Sequence, residues 1–138
     1  MAEYLKVERL EFIVTGRCNS RCRHCQIGEE RPASPADVDP DLAARIVREA
    51  GRAFTLTSVM TFGGEPLLHP EAVCAIHAAA REMGIGQREV ITNAGWPRDA
   101  REFQRVARRL AENGVNAVYL SVDAFHQEHI PVAIVARN

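Results

Sequence analysis

The sequence predicts an α/β fold in which four parallel strands alternate with helices. Short β-rich apolar runs alternate with amphipathic helical patterns, and no hairpin signal such as Asn-Gly joins two neighbouring strand patterns. Successive strands are therefore expected to be connected through helices by right-handed crossovers. After the first unit the strands begin about thirty residues apart, which is the size of one (β/α) repeat of a barrel.

The first unit consists of a strand, a long loop and a helix. The apolar run LEFIV predicts a buried strand over 10–14, and a loop rich in proline, glycine and charge is expected over 28–39. Asp39 can cap the following helix and Pro40 can open it. The apolar residues that recur at helical spacing, and that we expect to face the core, are Leu42, Ile46, Ala50 and Phe54.

The second unit begins with a strand over 58–62, which ends at a pair of glycines. A helix follows over 69–83, and Gly84 provides a left-handed stop. The third strand is predicted over 89–92. The helical residues expected to point inward are Val73, Ile76, Ala80 and Met83.

The third helix begins at a capping box formed by Asp99 and Glu102 and ends at 113–114. Its apolar stripe comprises Phe103, Val106, Ala107, Leu110 and Ala111. A fourth strand is predicted over 116–122, apolar enough to be covered on both faces. The run PVAIVARN at 131–138 indicates the opening of another helix.

The composition is that of one ordinary globular domain. The 138 residues are 46% hydrophobic and 25% charged, with a formal net charge of -1. This charge supplies no broad positive field for a phosphate backbone, which argues against nucleic acid as a general partner. No run approaches the ~20 apolar residues of a membrane span, and no secretory signal is recognised. We therefore expect a cytoplasmic protein that does not bind membranes.

Three of the four cysteines lie directly after the first strand. Cys18, Cys22 and Cys25 form a CxxxCxxC array, whereas Cys74 lies in the second helix, where we expect a small core residue. In a reducing compartment, thiols at short fixed spacing are more often metal ligands or redox centres than disulfides. Three thiolates on one loop can hold three irons of a cubane cluster, which leaves the fourth iron open to a small molecule.

Two other sites are compatible with the same cysteines. A zinc ion could be held by the three thiols and a distant histidine, although zinc motifs usually pair one CxxC with a second. Cys22 and Cys25 alone have the spacing of a thioredoxin-like dithiol, but Cys18 is surplus to that chemistry.

A second motif, TFGGEP, closes the second strand. Together with the CxxxCxxC loop it resembles the radical S-adenosylmethionine (radical SAM) superfamily, from about Leu10 to the end of the chain. The resemblance implies a partial barrel of (β/α) units and a 4Fe-4S cluster held by Cys18, Cys22 and Cys25, with S-adenosylmethionine chelating the fourth iron. It also implies an electron donor such as flavodoxin or ferredoxin, and a 5′-deoxyadenosyl radical that abstracts hydrogen from a substrate.

The resemblance assigns further residues to S-adenosylmethionine, all at the C-terminal ends of predicted strands or in the cysteine loop, where such folds place their active sites. They are His24 beside the adenine, Gly63, Gly64, Glu65 and Pro66 along the methionine part, Thr92 and Asn93 facing the cofactor, and Ser121 and Asp123 at the ribose. Glycine lets backbone approach a ligand. We expect Glu65 to accept hydrogen bonds from the chelated amino group and to add nothing to the turn itself.

Two histidines, His126 and His129, follow the fourth strand. They could be a metal pair or a substrate contact, but loop histidines without a third ligand are usually neither. We therefore assign them no site.

The family core has six (β/α) units, and only four strands are predicted here. We therefore expect 1–138 to be an incomplete core domain without strands five and six, whose fourth strand exposes an apolar edge prone to association. The first functional hypothesis is the N-terminal part of a radical SAM enzyme acting on a peptide or a small molecule. The alternative is a non-catalytic iron-sulfur or zinc module, or an inactive fragment.

Overall fold

The computed structural model describes residues 6–26, 36–97 and 99–137. Four strands form one parallel sheet in the order β1-β2-β3-β4, which confirms the predicted fold class. The strands are β1 (Arg9–Ile13), β2 (Ser58–Phe62), β3 (Gln87–Thr92) and β4 (Ala117–Leu120). Phe12, Thr61, Val90 and Val118 are register partners across all four strands. The carboxyl ends of the strands therefore meet along one edge of the sheet.

The helices connect the strands as the sequence patterns predict. They are α1 (Pro40–Ala53), α2 (Pro70–Glu82), α3 (Ala100–Glu112), α4 (Ala124–Gln127) and α5 (Val132–Arg137), with one 3-10 turn at Pro66–Leu68. Asp39 and Asp99 cap α1 and α3 through their side chains, and Gly84 ends α2 with φ 72°. Most of the loop predicted over 28–39 lies outside the described residues.

The hydrophobic core lies between one face of the sheet and α1, α2 and α3. Val59 and Val90 supply its sheet side, and Val47, Ile76 and Val106 supply one side chain from each helix. Cys74 is buried in this core, as the sequence predicts, and its burial raises the pKa of the thiol.

The predicted inner face of α1 is wrong. Leu42, Ile46 and Phe54 are 45%, 43% and 36% exposed, and only Ala50 of that row packs partly against the core. The buried residues of α1 are Ala43, Ala44 and Val47. Their small side chains let α1 lie close to its neighbours, so packing distance selected this row over the row with larger side chains.

The expectation that the fourth strand is covered on both faces is also wrong. Val118, Tyr119 and Leu120 are each about half exposed, because β4 is the last strand of the sheet within the described residues. The helix α4, which begins directly after this strand, lies where the sequence predicted only a loop. No described helix is both long and apolar enough to cross a membrane.

Candidate active site

A cleft of about 540 Å³ lies at the carboxyl edge of the sheet. It gathers residues from the loop after β1 and from the ends of β2, β3 and β4. The predicted site residues that line it are Cys18, Cys22, His24, Cys25, Gly63, Gly64, Glu65, Thr92, Asn93 and Ser121. Pro66 and Asp123 are not among its lining residues. The cleft also includes Ser20 and His126, to which sequence reasoning assigned no role.

The cysteine loop is fastened at its start by Thr15, which is fully buried. The Thr15 hydroxyl donates to the Asp37 carboxylate (2.5 Å) and accepts from the Arg17 backbone N–H (3.0 Å). Asp37 also pairs with the Arg17 guanidinium at 2.8 Å. The Thr15 hydrogen bond, and then Arg17, hold the pKa of Asp37 below its usual range. This hydrogen-bond network around Thr15 fixes where the loop leaves β1.

The two glycines after β2 bring that strand end against the cysteine loop. Gly64 has φ 50°, and a Cβ there would clash with the carbonyl oxygen of Arg17. The next residue, Glu65, donates its backbone N–H to the same carbonyl at 2.8 Å. A Cβ on Gly63 (φ 86°) would lie 2.5 Å from Ile13 Cγ2. The space that the sequence assigned to a ligand is thus partly filled by the chain's own loop.

The Glu65 side chain joins the ends of β2 and β3. It is 1% exposed; its Oε1 accepts from Leu67 N (3.0 Å) and Thr92 Oγ1 (2.7 Å), and its Oε2 accepts from Asn93 N (2.8 Å). Burial raises the pKa of this carboxyl, against the three hydrogen bonds, which favour its charged form. The expectation that Glu65 adds nothing to the turn is therefore wrong, because its side chain caps the 3-10 turn and ties two strands together.

Asn93 extends this connection to the cysteine loop. Its side-chain amide donates to Asn19 Oδ1 at 2.8 Å and lies 3.9 Å from the Cys18 sulfur. Its Oδ1 accepts from the Gly95 backbone N–H at 2.9 Å, which fixes the amide's orientation. Sequence reasoning placed Asn93 against the cofactor and missed this contact with Asn19, because no spacing rule pairs residues so far apart in the chain.

The other side of the cysteine loop contacts α4. Arg23 forms an ion pair with Glu128 and lies 5.6 Å from the ring centroid of Phe125. The His24 ring stacks on Phe125 with centroids 4.7 Å apart. Asp123 caps α4 by accepting from the backbone N–H groups of Phe125 and His126. The hydrogen bond from the His126 backbone N–H makes the largest contribution to lowering the pKa of Asp123.

The residues fit a group bound in this cleft. Cys22 is buried, Cys18 and Cys25 are half-buried, and all three thiols line the same space. Ser20, between the first two cysteines, is 3% exposed, and its buried hydroxyl has no hydrogen-bond partner among the described residues. Thiol donors beside an unsatisfied polar group in a partly closed cleft suit an iron-sulfur centre with a polar ligand.

Fold and site together define a parallel α/β protein with a thiol-bearing cleft at the carboxyl edge of its sheet. The model of the Radical SAM superfamily matches residues 12–137. The chain belongs to this superfamily, whose members bind a 4Fe-4S cluster and S-adenosylmethionine. The resemblance inferred from the two motifs is confirmed.

Two curated relatives are GTP 3′,8-cyclases. The protein of Mycobacterium marinum is 34% identical over 133 residues, covering 94% of this chain and 34% of the cyclase. The protein of Lactiplantibacillus plantarum is 29% identical over 114 residues, covering 81% and 32% of the two chains. The chain thus spans about a third of the length of these enzymes.

A solved structure shares the fold. The crystal structure of BtrN in complex with AdoMet and 2-DOIA superposes with a TM-score of 0.67 at 20% identity, covering 86% of this chain and 47% of that one. At this identity the match supports the architecture alone.

Proposed function

We propose that this chain is the cofactor-binding part of a radical SAM enzyme, with a 4Fe-4S cluster and S-adenosylmethionine bound in the cleft at the carboxyl edge of the sheet. The supporting observation is the convergence of three thiols with Gly64 and Glu65, from two separate strand ends, on one cleft. A 4Fe-4S cluster and S-adenosylmethionine bound by these residues would supply one-electron reductive chemistry and a 5′-deoxyadenosyl radical for hydrogen abstraction from a substrate.

In this proposal Cys18, Cys22 and Cys25 hold three irons, and the loop that carries them is positioned by the chain itself. The hydrogen-bond network around Thr15 fixes one end of the loop, and the Arg17 carbonyl is held against the end of β2. The contacts of Arg23 with α4 fix the other side. A rigid ligand loop reduces the entropy lost when a cluster is bound.

The ends of the strands are proposed to bind the cofactor's organic part. Gly63 and Gly64 line the cleft, and their lack of a Cβ lets the cysteine loop pack closely against this strand end. Glu65 acts mainly by holding this strand end, because its carboxylate already accepts three hydrogen bonds from the protein. Pro66 contributes by opening the 3-10 turn behind it.

The remaining predicted contacts divide in the same way. Ser121 lines the cleft and is proposed to face the ribose, and the His24 ring forms a flat wall suited to an adenine. Thr92 holds Glu65 and Asn93 holds the cysteine loop, so both support the cofactor site from the end of β3. Asp123 is proposed at the outer rim, beside His24.

The wider setting is part of the same proposal. The described residues supply four of the six (β/α) units of the family core, so turnover is assigned to a protein that contains all six. Its substrate is proposed to be a small molecule or a peptide, and its electron donor a protein such as flavodoxin or ferredoxin. A cytoplasmic location follows from the need to keep the three thiols reduced.

The proposal is tested by anaerobic reconstitution with iron and sulfide. We expect about four irons per chain, an iron-sulfur absorption band, and an EPR spectrum of the reduced cluster that changes when S-adenosylmethionine is added. Cys22→Ala should lose most of the iron. The matched control is Cys74→Ala, because Cys74 is a buried thiol of α2 outside the cleft.

Three outcomes would contradict the proposal. They are zinc in place of iron, a cluster whose fourth iron is held by a protein side chain, and equal iron loss in the Cys22 and Cys74 variants. The first two outcomes would favour the structural or electron-transfer module that the sequence left open.

A further inference from the structure

Three side chains from two separate segments converge at the outer wall of the cleft. Asp123 Oδ2 lies 2.8 Å from His126 Nδ1 and 3.6 Å from His24 Nε2, and each of the three side chains offers one ligand atom within 4.8 Å of the other two. We propose that His24, Asp123 and His126 form a binding site for a divalent transition-metal ion of the zinc class, separate from the three cysteines. Two imidazoles and one carboxylate are a common ligand set for such ions.

The orientation of Asp123 leaves one oxygen for the metal. Its Oδ1 accepts the backbone N–H groups of Phe125 (2.9 Å) and His126 (3.0 Å) at the start of α4. These two bonds fix the carboxylate plane and turn Oδ2 toward both imidazoles. A carboxylate whose second oxygen is held by the protein resembles the arrangement in which hydrogen-bonded neighbours orient a metal ligand.

The two imidazole rings are oriented by contacts between aromatic rings. The His24 ring stacks on Phe125 and meets the His126 ring edge-on, with centroids 4.9 Å apart and an interplanar angle of 77°. His126 is the most enclosed of the three side chains, at 19% exposed, and His24 and Asp123 are open enough to admit an ion and a water ligand.

A hydrogen bond explains why the side chains of His126 and Asp123 lie together, but it does not explain the position of His24. The bond between His126 and Asp123 is a local contact of one helical turn. His24 arrives from the cysteine loop, and its Nε2 stops 3.6 Å from the shared oxygen, too far for a hydrogen bond. An ion with bonds of about 2.0–2.2 Å separates its ligand atoms by about 3.3 Å, so small side-chain rotations would place one ion between all three groups.

Metal binding requires a defined change at His126. The hydrogen that His126 Nδ1 donates to Asp123 must leave that nitrogen, because an imidazole that binds a metal through Nδ1 carries its hydrogen on Nε2. The sequence analysis paired His126 with His129 and found no third ligand, whereas the partners of His126 in the structure are His24 and Asp123. His24 and Asp123 are also proposed contacts of the nucleoside, so metal and nucleoside are alternative occupants of this wall.

The test uses the full chain with Cys18, Cys22 and Cys25 replaced by serine, so that no thiol of the loop binds the probe. Co²⁺ is the probe, because it takes zinc sites and absorbs in the visible. We expect about one Co²⁺ per chain, displaced by Zn²⁺, which binds such ligands more tightly. His126→Gln should weaken Co²⁺ binding at least about tenfold. His129→Gln is the matched control, since His129 is exposed and outside the trio.

Equal loss of affinity in the two histidine variants, or no visible band at one equivalent, would overturn the inference. If the serine variant fails to fold, imidazole ¹⁵N resonances of the chain with its cysteines decide the question. Zn²⁺ should then move the His126 hydrogen to Nε2 and leave His129 unchanged; unchanged His126 resonances refute the site. Because the serine variant cannot hold a cluster, this result and the cluster reconstitution fail independently.

Discussion

Replacing His77 by Gln is expected to remove a large part of the protein's sensitivity to acid. His77 lies on α2 and is fully buried, with Nε2 3.0 Å from Thr61 Oγ1 on β2. Its Nδ1 is buried and has no partner among the described residues. Burial, and next the charge of Arg88, lower the pKa of His77 from 6.5 to about 4.

The sign and size of the effect follow from this difference. The unfolded chain binds a proton at His77 as pH falls through 6.5, whereas the folded chain resists it until about pH 4. Stability is therefore lost progressively on acidification between these values. A gap of about 2.5 pH units corresponds to about 3 kcal/mol of unfolding free energy.

The assay is urea unfolding of wild type and His77→Gln at several pH values between 7.5 and 4.5. Imperfect packing of the new side chain is expected to lower stability at every pH, so the measured quantity is the change with pH rather than the absolute value. We expect the unfolding free energy of the variant to fall by about 2.5 kcal/mol less than that of wild type over the range. His129→Gln, at an exposed position, is the control and should keep the wild-type slope. Equal slopes in wild type and His77→Gln would refute the reasoning.

Five further substitutions test the site and the fold by thermal or urea unfolding. Glu65→Gln should cost about 1–3 kcal/mol, because an amide cannot accept from all three donors and leaves one of them buried without a partner. Gly64→Ala should cost about 3 kcal/mol or more through its clash with the cysteine loop, whereas Gly84→Ala, at φ 72° with nothing nearby, should cost about 1–2 kcal/mol. Leu42→Gln should change stability by no more than about 0.5 kcal/mol, and Val47→Ala should cost about 2 kcal/mol.

Each of these predictions has an outcome that contradicts it. Glu65→Gln must be more costly than Glu82→Gln, which removes only a surface ion pair with Arg48. Equal costs at the two glycines would show that the contact at Gly64 is absent. A larger loss from Leu42 than from Val47 would restore the inner face predicted from the sequence.

The element order was predictable because its signals are local. Asp39, Asp99 and Gly84 mark helix ends through contacts within one turn, and the structure bears each of them out. The buried face of α1 was not predictable, because two apolar rows compete on that helix and the choice depends on how closely it approaches α2. A hydrophobicity pattern carries no information on the distance between α1 and α2.

The candidate site divides along the same line. The three cysteines of the loop and the glycine pair could be predicted because their spacing is itself the signal, and all of them line the cleft. Sequence reasoning missed the contacts that hold them, such as Asn93 with Asn19 and Arg23 with Glu128, since each joins residues far apart in the chain. The role of Glu65 was misjudged partly for the same reason, because two of its three partners, Thr92 and Asn93, lie at the end of another strand.

The position of the Glu65 carboxylate also affects how genetic data on this protein should be interpreted. A substitution of Glu65 removes contacts at the ends of two strands at once. Reduced turnover in such a variant would therefore reflect a disordered site rather than a lost contact with the cofactor. A screen that ranks residues by activity alone would therefore count Glu65, a structural residue, as one that contacts the cofactor. Pairing every such measurement with a melting curve separates the two.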